Sequence, residues 1–215
     1  MHELTQLIKS DMKPALGVTE PGAIAFAVST AKSYLTGDVK KVLLRLNSGM
    51  YKNAFTCGIP GSSHVGNIYA AALGAVAGRP EKGLESLADV TEADNAAAER
   101  MVDAGMVEAK MTEITSRIFI EATVTTESGE AVVTIRDSHT NIVRITVNGE
   151  TVLSKEEETA GEAETKPLIH SYTLEQIYEY IDTVDVEEIR FIGDAFRMNY
   201  ELLEEGLNSP DRKSV

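Results

Sequence analysis

The stretch GIPGSSHVGN at 58–67 gathers groups that bind and polarise small ligands. It runs straight into an alanine-rich segment of helical character. Free N–H groups and the positive end of a helix dipole would therefore face whatever sits in the loop. Gly61 turns the chain, Ser62 and Ser63 offer hydroxyls, and His64 offers a ring suited to proton transfer. This set suits a small carboxylate. It equally suits a plainer role, in which Ser62, Ser63 or His64 caps the helix and the glycines bend the chain.

Other candidates lie in three short segments. GMYKN (49–53) puts Lys52 and Asn53 in the same irregular region. A lysine there either pairs with a carboxylate or acts as a base, or else stands in solvent. Thr19 and Glu20 open the segment TEPGAIAFAV, and a desolvated Glu20 would serve as a general base. In the alternative it complements the dipole of the helix it starts. His139 and Asn141 fall between two strands, where they either close the site or form a turn. The expected roles are carboxylate binding by Ser62 and Ser63 and positioning by Lys52 and Asn53. Glu20 and His64 would transfer protons, and Thr19, Gly61, His139 and Asn141 would complete the binding set. Cys57 reads as an inert small residue before it reads as a nucleophile. No metal ligands are assigned.

The elements that must position these residues follow from periodicity and punctuation. Residues 3–12 read as a short amphipathic helix. Thr19 and Pro21 open a second helix whose small and apolar residues, Ala23 to Ala31, predict burial. VKKVLLRLN (39–47) alternates as a strand, and residues 48–64 read as a loop. The helix after Gly66 carries three consecutive alanines and two glycines, which allow close packing. Thr91 caps a further helix that ends at Gly105. VEAKMTE, RIFIEATVTT, AVVTIRDS and NIVRITVNG then alternate as antiparallel strands joined by hairpins. The fold class is α+β: buried small-residue helices, an antiparallel sheet of about four or five strands, then two C-terminal helices. The expected organisation is a body over 1–154, an acidic linker over 155–166 and a helical segment over 167–215.

The 215 residues carry a net charge of −14, and −12 of it falls in residues 150–205. Such a chain repels phosphate backbones, so nucleic acid is not an expected partner. No apolar run reaches membrane-spanning length, and no membrane association is expected. The first residues lack the apolar core of a signal peptide. A single cysteine excludes an internal disulfide, and the expected compartment is the cytoplasm.

Several segments, in order, resemble the N-terminal half of the L-cysteine desulfidase and iron–sulphur L-serine dehydratase-like family. They are ALGVTEPGAIAFAV (15–28), SGMYKNAFTCGIPG (48–61), AAALGAVAG (70–78), HTNI (139–142) and FRMNYELLEEGL (196–207). The resemblance implies an α+β protein of about twice this length that removes ammonia, with water or sulphide, from serine or cysteine. It implies a 4Fe–4S cluster acting as a Lewis acid, held mostly by the family's second half. The PGSSHVG stretch resembles a shortened carboxylate-binding loop of such dehydratases. This sequence departs from the pattern at Val18, where the family has a cysteine, and it lacks the second half. One cysteine cannot hold a cluster, so no cofactor is expected on this chain alone. Three functions follow as alternatives. The chain is half of a lyase, paired with a second chain that carries the missing C-terminal half. Or it is a non-catalytic module that binds a small amino acid or carboxylate. Or it is a degenerate relative without ligand. Self-association as a homo-oligomer is compatible with the first.

Overall fold

Small residues decide where the first long helices lie. The computed structural model describes residues 1–12, 14–15, 17–115, 117–155 and 167–208. Helix α1 spans Glu3–Asp11 and α2 spans Thr19–Ser33. In α2 Ala23, Ile24, Ala25, Ala27, Val28 and Ala31 have no exposed surface. The expectation of a buried small-residue helix holds. Strand β1 (Val39–Leu46) leads into α3 (Ser48–Ala54), an irregular loop, and α4 (Asn67–Val76). A 3-10 turn at Pro80–Glu85 and helix α5 (Glu92–Asp103) follow. Thr91 and Asp94 form a reciprocal capping box on α5.

The sheet has six strands: β1, β2 (Val107–Met111), β3 (Phe119–Thr126), β4 (Gly129–Arg136), β5 (Ile142–Val147) and β6 (Glu150–Ser154). Their order is β2-β1-β3-β4-β5-β6. The α+β class holds, and the sheet is mixed because β2 pairs with β1 in parallel. The helices between these two strands make the crossover that a parallel pair requires. Helix α2 packs over β3 and β4, and α4 packs over β1 and β2. Alternation buries Val42, Leu44, Leu46, Ile120, Ala122, Val124, Val133 and Ile135 on that face. The opposite face is polar and carries the Arg45–Glu121 ion pair at 2.9 Å.

One expectation needs correction here. Residues 48–54 form α3 and are not loop. The side chain of Asn47, 1% exposed, holds the junction. Its Nδ2 donates to the Thr115 carbonyl at 2.8 Å and its Oδ1 accepts from the Phe119 amide at 3.1 Å. The turn from β1 into α3 is thus tied to the start of β3.

Contacts divide the chain into two compact units, Ala15–Glu162 and a second made of Met1–Pro14 with Ala163–Val215. The first unit holds the sheet and α2 to α5. The second holds α1, a 3-10 turn (Leu168–Ser171), α6 (Leu174–Thr183) and α7 (Phe191–Asn208). The two C-terminal helices are as expected, but α1 belongs with them, so the expected 1–154 body begins at Ala15. Of the expected linker over 155–166, only Lys155 is among the described residues.

A hydrogen-bond relay through the buried Thr5 explains why α1 joins this unit. Tyr180 donates to Thr5 Oγ1 at 2.8 Å, and Thr5 donates to Glu188 Oε1 at 2.6 Å. The His2 backbone N–H reaches the same oxygen at 2.6 Å. The Thr5 hydroxyl and then the His2 amide hold the Glu188 carboxyl below its ordinary value.

Two predictions follow from this packing. A Cβ on Gly74 would lie 2.8 Å from both Cα and O of Ala25. Gly74→Ala should therefore destabilise the first unit by about 1–3 kcal/mol in chemical denaturation, despite its better helix propensity. Unchanged stability would show that α2 and α4 can separate freely. Glu188 is a depressed carboxyl, so its contribution is full above the ordinary glutamate value of about 4.3 and is lost as pH falls below it. The protection of α1 amides against hydrogen exchange, taken relative to the intrinsic rate at each pH, should fall over that acid range, and Glu188→Gln should flatten the response.

Candidate functional site

The first turn of α2 brings together four of the predicted residues. Thr19 and Glu20 are its first two positions, both half-buried, after Val18 in an extended conformation with no side-chain cap. The first N–H groups of a helix have no partners within it. The Thr19 hydroxyl lies 3.5 Å from Nε2 of His139, in the turn between β4 and β5. Glu20 Oε1 accepts a hydrogen bond from Asn53 Nδ2 at 3.1 Å. Asn53 sits near the end of α3, and its own carbonyl accepts from the Cys57 thiol at 2.6 Å. Residues from α2, α3 and the β4–β5 turn thus meet over sequence separations of 33 and 120.

The glycine-rich loop closes on its own stem beside this cluster. Gly58 and Val65 form a bridge, and the Gly66 amide donates to the Cys57 carbonyl at 3.0 Å. Gly66 has φ of +96°, and a Cβ there would lie 2.7 Å from the Phe55 carbonyl oxygen. Only glycine fits both demands. Within the loop Ser62 Oγ accepts from the His64 amide at 3.1 Å. The His64 ring stacks on Tyr69 with 4.1 Å between centroids. Gly61 has φ of +72°, and its carbonyl accepts from Asn95 Nδ2 at 2.8 Å. Ser63 is exposed.

The remaining candidates have local roles. Asn141 donates to the Arg136 carbonyl at 3.1 Å and accepts the Arg136 amide, which closes the hairpin. Lys52 is exposed in the last turn of α3, where its charge complements the helix end.

Sequence reasoning set Cys57 aside, yet it bridges the Glu20–Asn53 pair and the loop stem. It also passed over Asn67, which opens α4 at 2% exposure with an Nδ2 that has no hydrogen-bond partner among the described residues. A polar residue heading an otherwise apolar helix was the available signal for Asn67. Two clefts of about 500 and 460 Å³ lie elsewhere, one beside His2 and Glu188 and one on the polar sheet face. Neither is lined by these candidates.

An iron–sulphur cluster does not fit the residues present. Cys57 is the single cysteine of the sequence. Among the described residues no three histidine, cysteine or acidic side chains gather so as to hold a metal ion. Position 18 offers only an exposed valine side chain.

No protein-family profile matches the chain. It is similar to proteins named UPF0597 in three bacteria. The relative from Caldanaerobacter subterraneus subsp. tengcongensis is 35% identical over 206 residues, covering 95% of this chain and 49% of that protein. The relative from Dichelobacter nodosus is 34% identical over 208 residues, with 97% and 48% covered. One from Clostridium botulinum is 35% identical over 206 residues, with 96% and 48% covered. The chain spans about half the length of the curated relatives it matches. These names correct the expected membership of the L-cysteine desulfidase and iron–sulphur L-serine dehydratase-like family. The relatives match along nearly the whole chain and none of the three bears that name. Three of the five segments on which the resemblance rested have local roles here: helix packing in α2 and α4, and hairpin closure at 139–142.

The cluster has an electrostatic signature that can be measured. Burial, and then the negative charge of Glu20, push the Cys57 thiol above its ordinary value. A raised thiol is a poor nucleophile near neutrality. Removing the charge should favour the thiolate. Glu20→Gln should speed alkylation of Cys57 by iodoacetamide at pH 8 by about two- to fivefold. An unchanged rate would mean that Glu20 does not act on the thiol.

Proposed function

We propose that this chain is a binding module for a small α-amino acid or related carboxylate, seated at the N-terminus of α2. The observation that supports it is the meeting of the Glu20–Asn53 pair with the Thr19–His139 pair on consecutive residues. An α-amino acid carries an ammonium and a carboxylate on one carbon. Glu20, oriented by Asn53, supplies the acceptor for the ammonium. The Thr19 hydroxyl, the His139 ring and the backbone amides of Thr19 and Glu20 supply donors for the carboxylate, Pro21 having no N–H to offer. Both ends are thus answered within one helical turn.

The adjacent loop, with Ser62, Ser63 and His64, would limit the size of the ligand side chain. Lys52 would raise the local attraction for the carboxylate. No proton-transfer step is assigned to this chain. Its relatives are about twice as long, and a second polypeptide segment, the counterpart of their remaining half, would complete the site.

Calorimetric titration with L-serine and L-cysteine tests the reading. The expected result is one site per chain. Glu20→Gln and His139→Ala should each weaken binding about tenfold, which corresponds to one charge-assisted contact. Acetate and ethylamine should each bind more weakly than the amino acid, since each answers one end. Absence of heat with both amino acids at millimolar concentration, or affinity untouched by both substitutions, would remove the assignment.

A further inference from the structure

The helical unit carries a surface unrelated to that site. Helix α7 (Phe191–Asn208) has no buried residue, although it is strongly amphipathic. Phe196, Tyr200, Leu203 and Leu207 recur at spacings of four, three and four. That is the seam of a two-stranded coiled coil, with Tyr200 and Leu207 at a positions and Phe196 and Leu203 at d positions. These side chains are 70%, 49%, 54% and 49% exposed. A seam so open in an 18-residue helix calls for a partner.

The charges on α7 state what that partner is. Asp194, Glu201 and Glu205 fall at b and f and point away from the seam. Two charged residues flank it, Arg197 and Glu204, and both are at e. The g positions beside them, Asn199 and Gly206, carry no charge. Parallel helices set e against g and would leave both charges unanswered. Antiparallel helices set e against e. The seam is therefore complementary to itself in one orientation alone.

We propose that α7 pairs with α7 of a second copy as an antiparallel, two-fold symmetric dimer. Phe196 stacks over Leu207 of the partner subunit, and Tyr200 over the partner's Leu203. Arg197 faces Glu204 of the partner subunit, and symmetry makes that pair twice. The Arg197 bond to its own Asp194, 3.1 Å on the exposed face, is an intrahelical pair of minor strength and does not hold the guanidinium back. An anionic membrane is the poorer occupant, because a helix lying on one carries lysine and arginine beside its apolar face, and α7 carries mainly acids. The inference rests on α7 alone and stands apart from the amino-acid site.

Sedimentation velocity of the full chain over micromolar to millimolar concentration tests the dimer. A reversible monomer–dimer equilibrium is expected. Phe196→Ser combined with Leu203→Ser should weaken it at least tenfold. Arg197→Glu and Glu204→Arg should each weaken it about fivefold, since each turns two attractive pairs into two repulsive ones. The double exchange should return the association to within about twofold of the original. Circular dichroism of each variant checks that the helices are intact. A chain that stays monomeric across the range overturns the proposal, as does association that ignores the seam substitutions. A double exchange as weak as either single one overturns the antiparallel pairing.

Discussion

Helix α2 can lie beside α4 on the sheet only because the two helices meet backbone to backbone. At Gly74 even a methyl group would sit 2.8 Å from Ala25. At Gly22 it would sit 2.7 Å from the Leu84 carbonyl oxygen. Glycine in a helix costs about 1 kcal/mol against alanine. Here the cost is offset by dispersion contacts along the whole length of the crossing. The sequence of α2 is small at Ala25 and Ser29, which face Gly74 and Gly78, and larger at Ile24 and Val28 in the core. That constraint fixes the depth of α2, and with it the position of Thr19 and Glu20 at its open end.

The other partners of the cluster are brought to that end by the sheet. Strand β1 lies inside the sheet between β2 and β3, so the helix that follows it starts over the core. Asn47 then ties the β1–α3 junction to Thr115 and Phe119. Helix α3 is thereby aimed so that Asn53 reaches Glu20. The β4–β5 turn, closed by Asn141 on Arg136, delivers His139 from the other side. None of these contacts is strong alone. Their geometry is set by buried neighbours, so a rigid scaffold gathers this cluster of short polar side chains.

The parts legible in the sequence were those with composition or periodicity behind them. The small residues of 23–31 and 70–76 announced buried helices, and the cap at Thr91 announced α5. The alternation from Phe119 to Val147 announced hairpins. Helix α3 was not legible: SGMYKNA is seven residues with glycine and asparagine, poor helix formers, and its helicity comes from packing Met50 and Ala54 into the core. The parallel pairing of β2 with β1 was hidden because pairing across a crossover leaves no local signature. Thr19, Glu20, Asn53 and His139 could be singled out by residue type, yet their pairings were not readable. Thr19 meets His139 across 120 residues, and no spacing rule reaches that far. The family resemblance misled for a related reason. The segments at 15–28 and 70–78 are rich in alanine and glycine and are shaped by packing, so their likeness to another family speaks first of shared local geometry.

The acidity of the chain takes on a different meaning once it is placed on elements. The −12 in residues 150–205 suggested a solvated linker and solvated helices. On α7 the acids are not spread evenly. Asp194, Glu201 and Glu205 occupy the outer face, while the apolar ridge is flanked by one arginine and one glutamate. Repulsion between like-charged outer faces weakens with distance and with salt, and at physiological ionic strength it is largely screened beyond about 8 Å. The seam charges sit much closer and act before screening removes them. A high net charge and one self-complementary stripe are therefore compatible on the same helix.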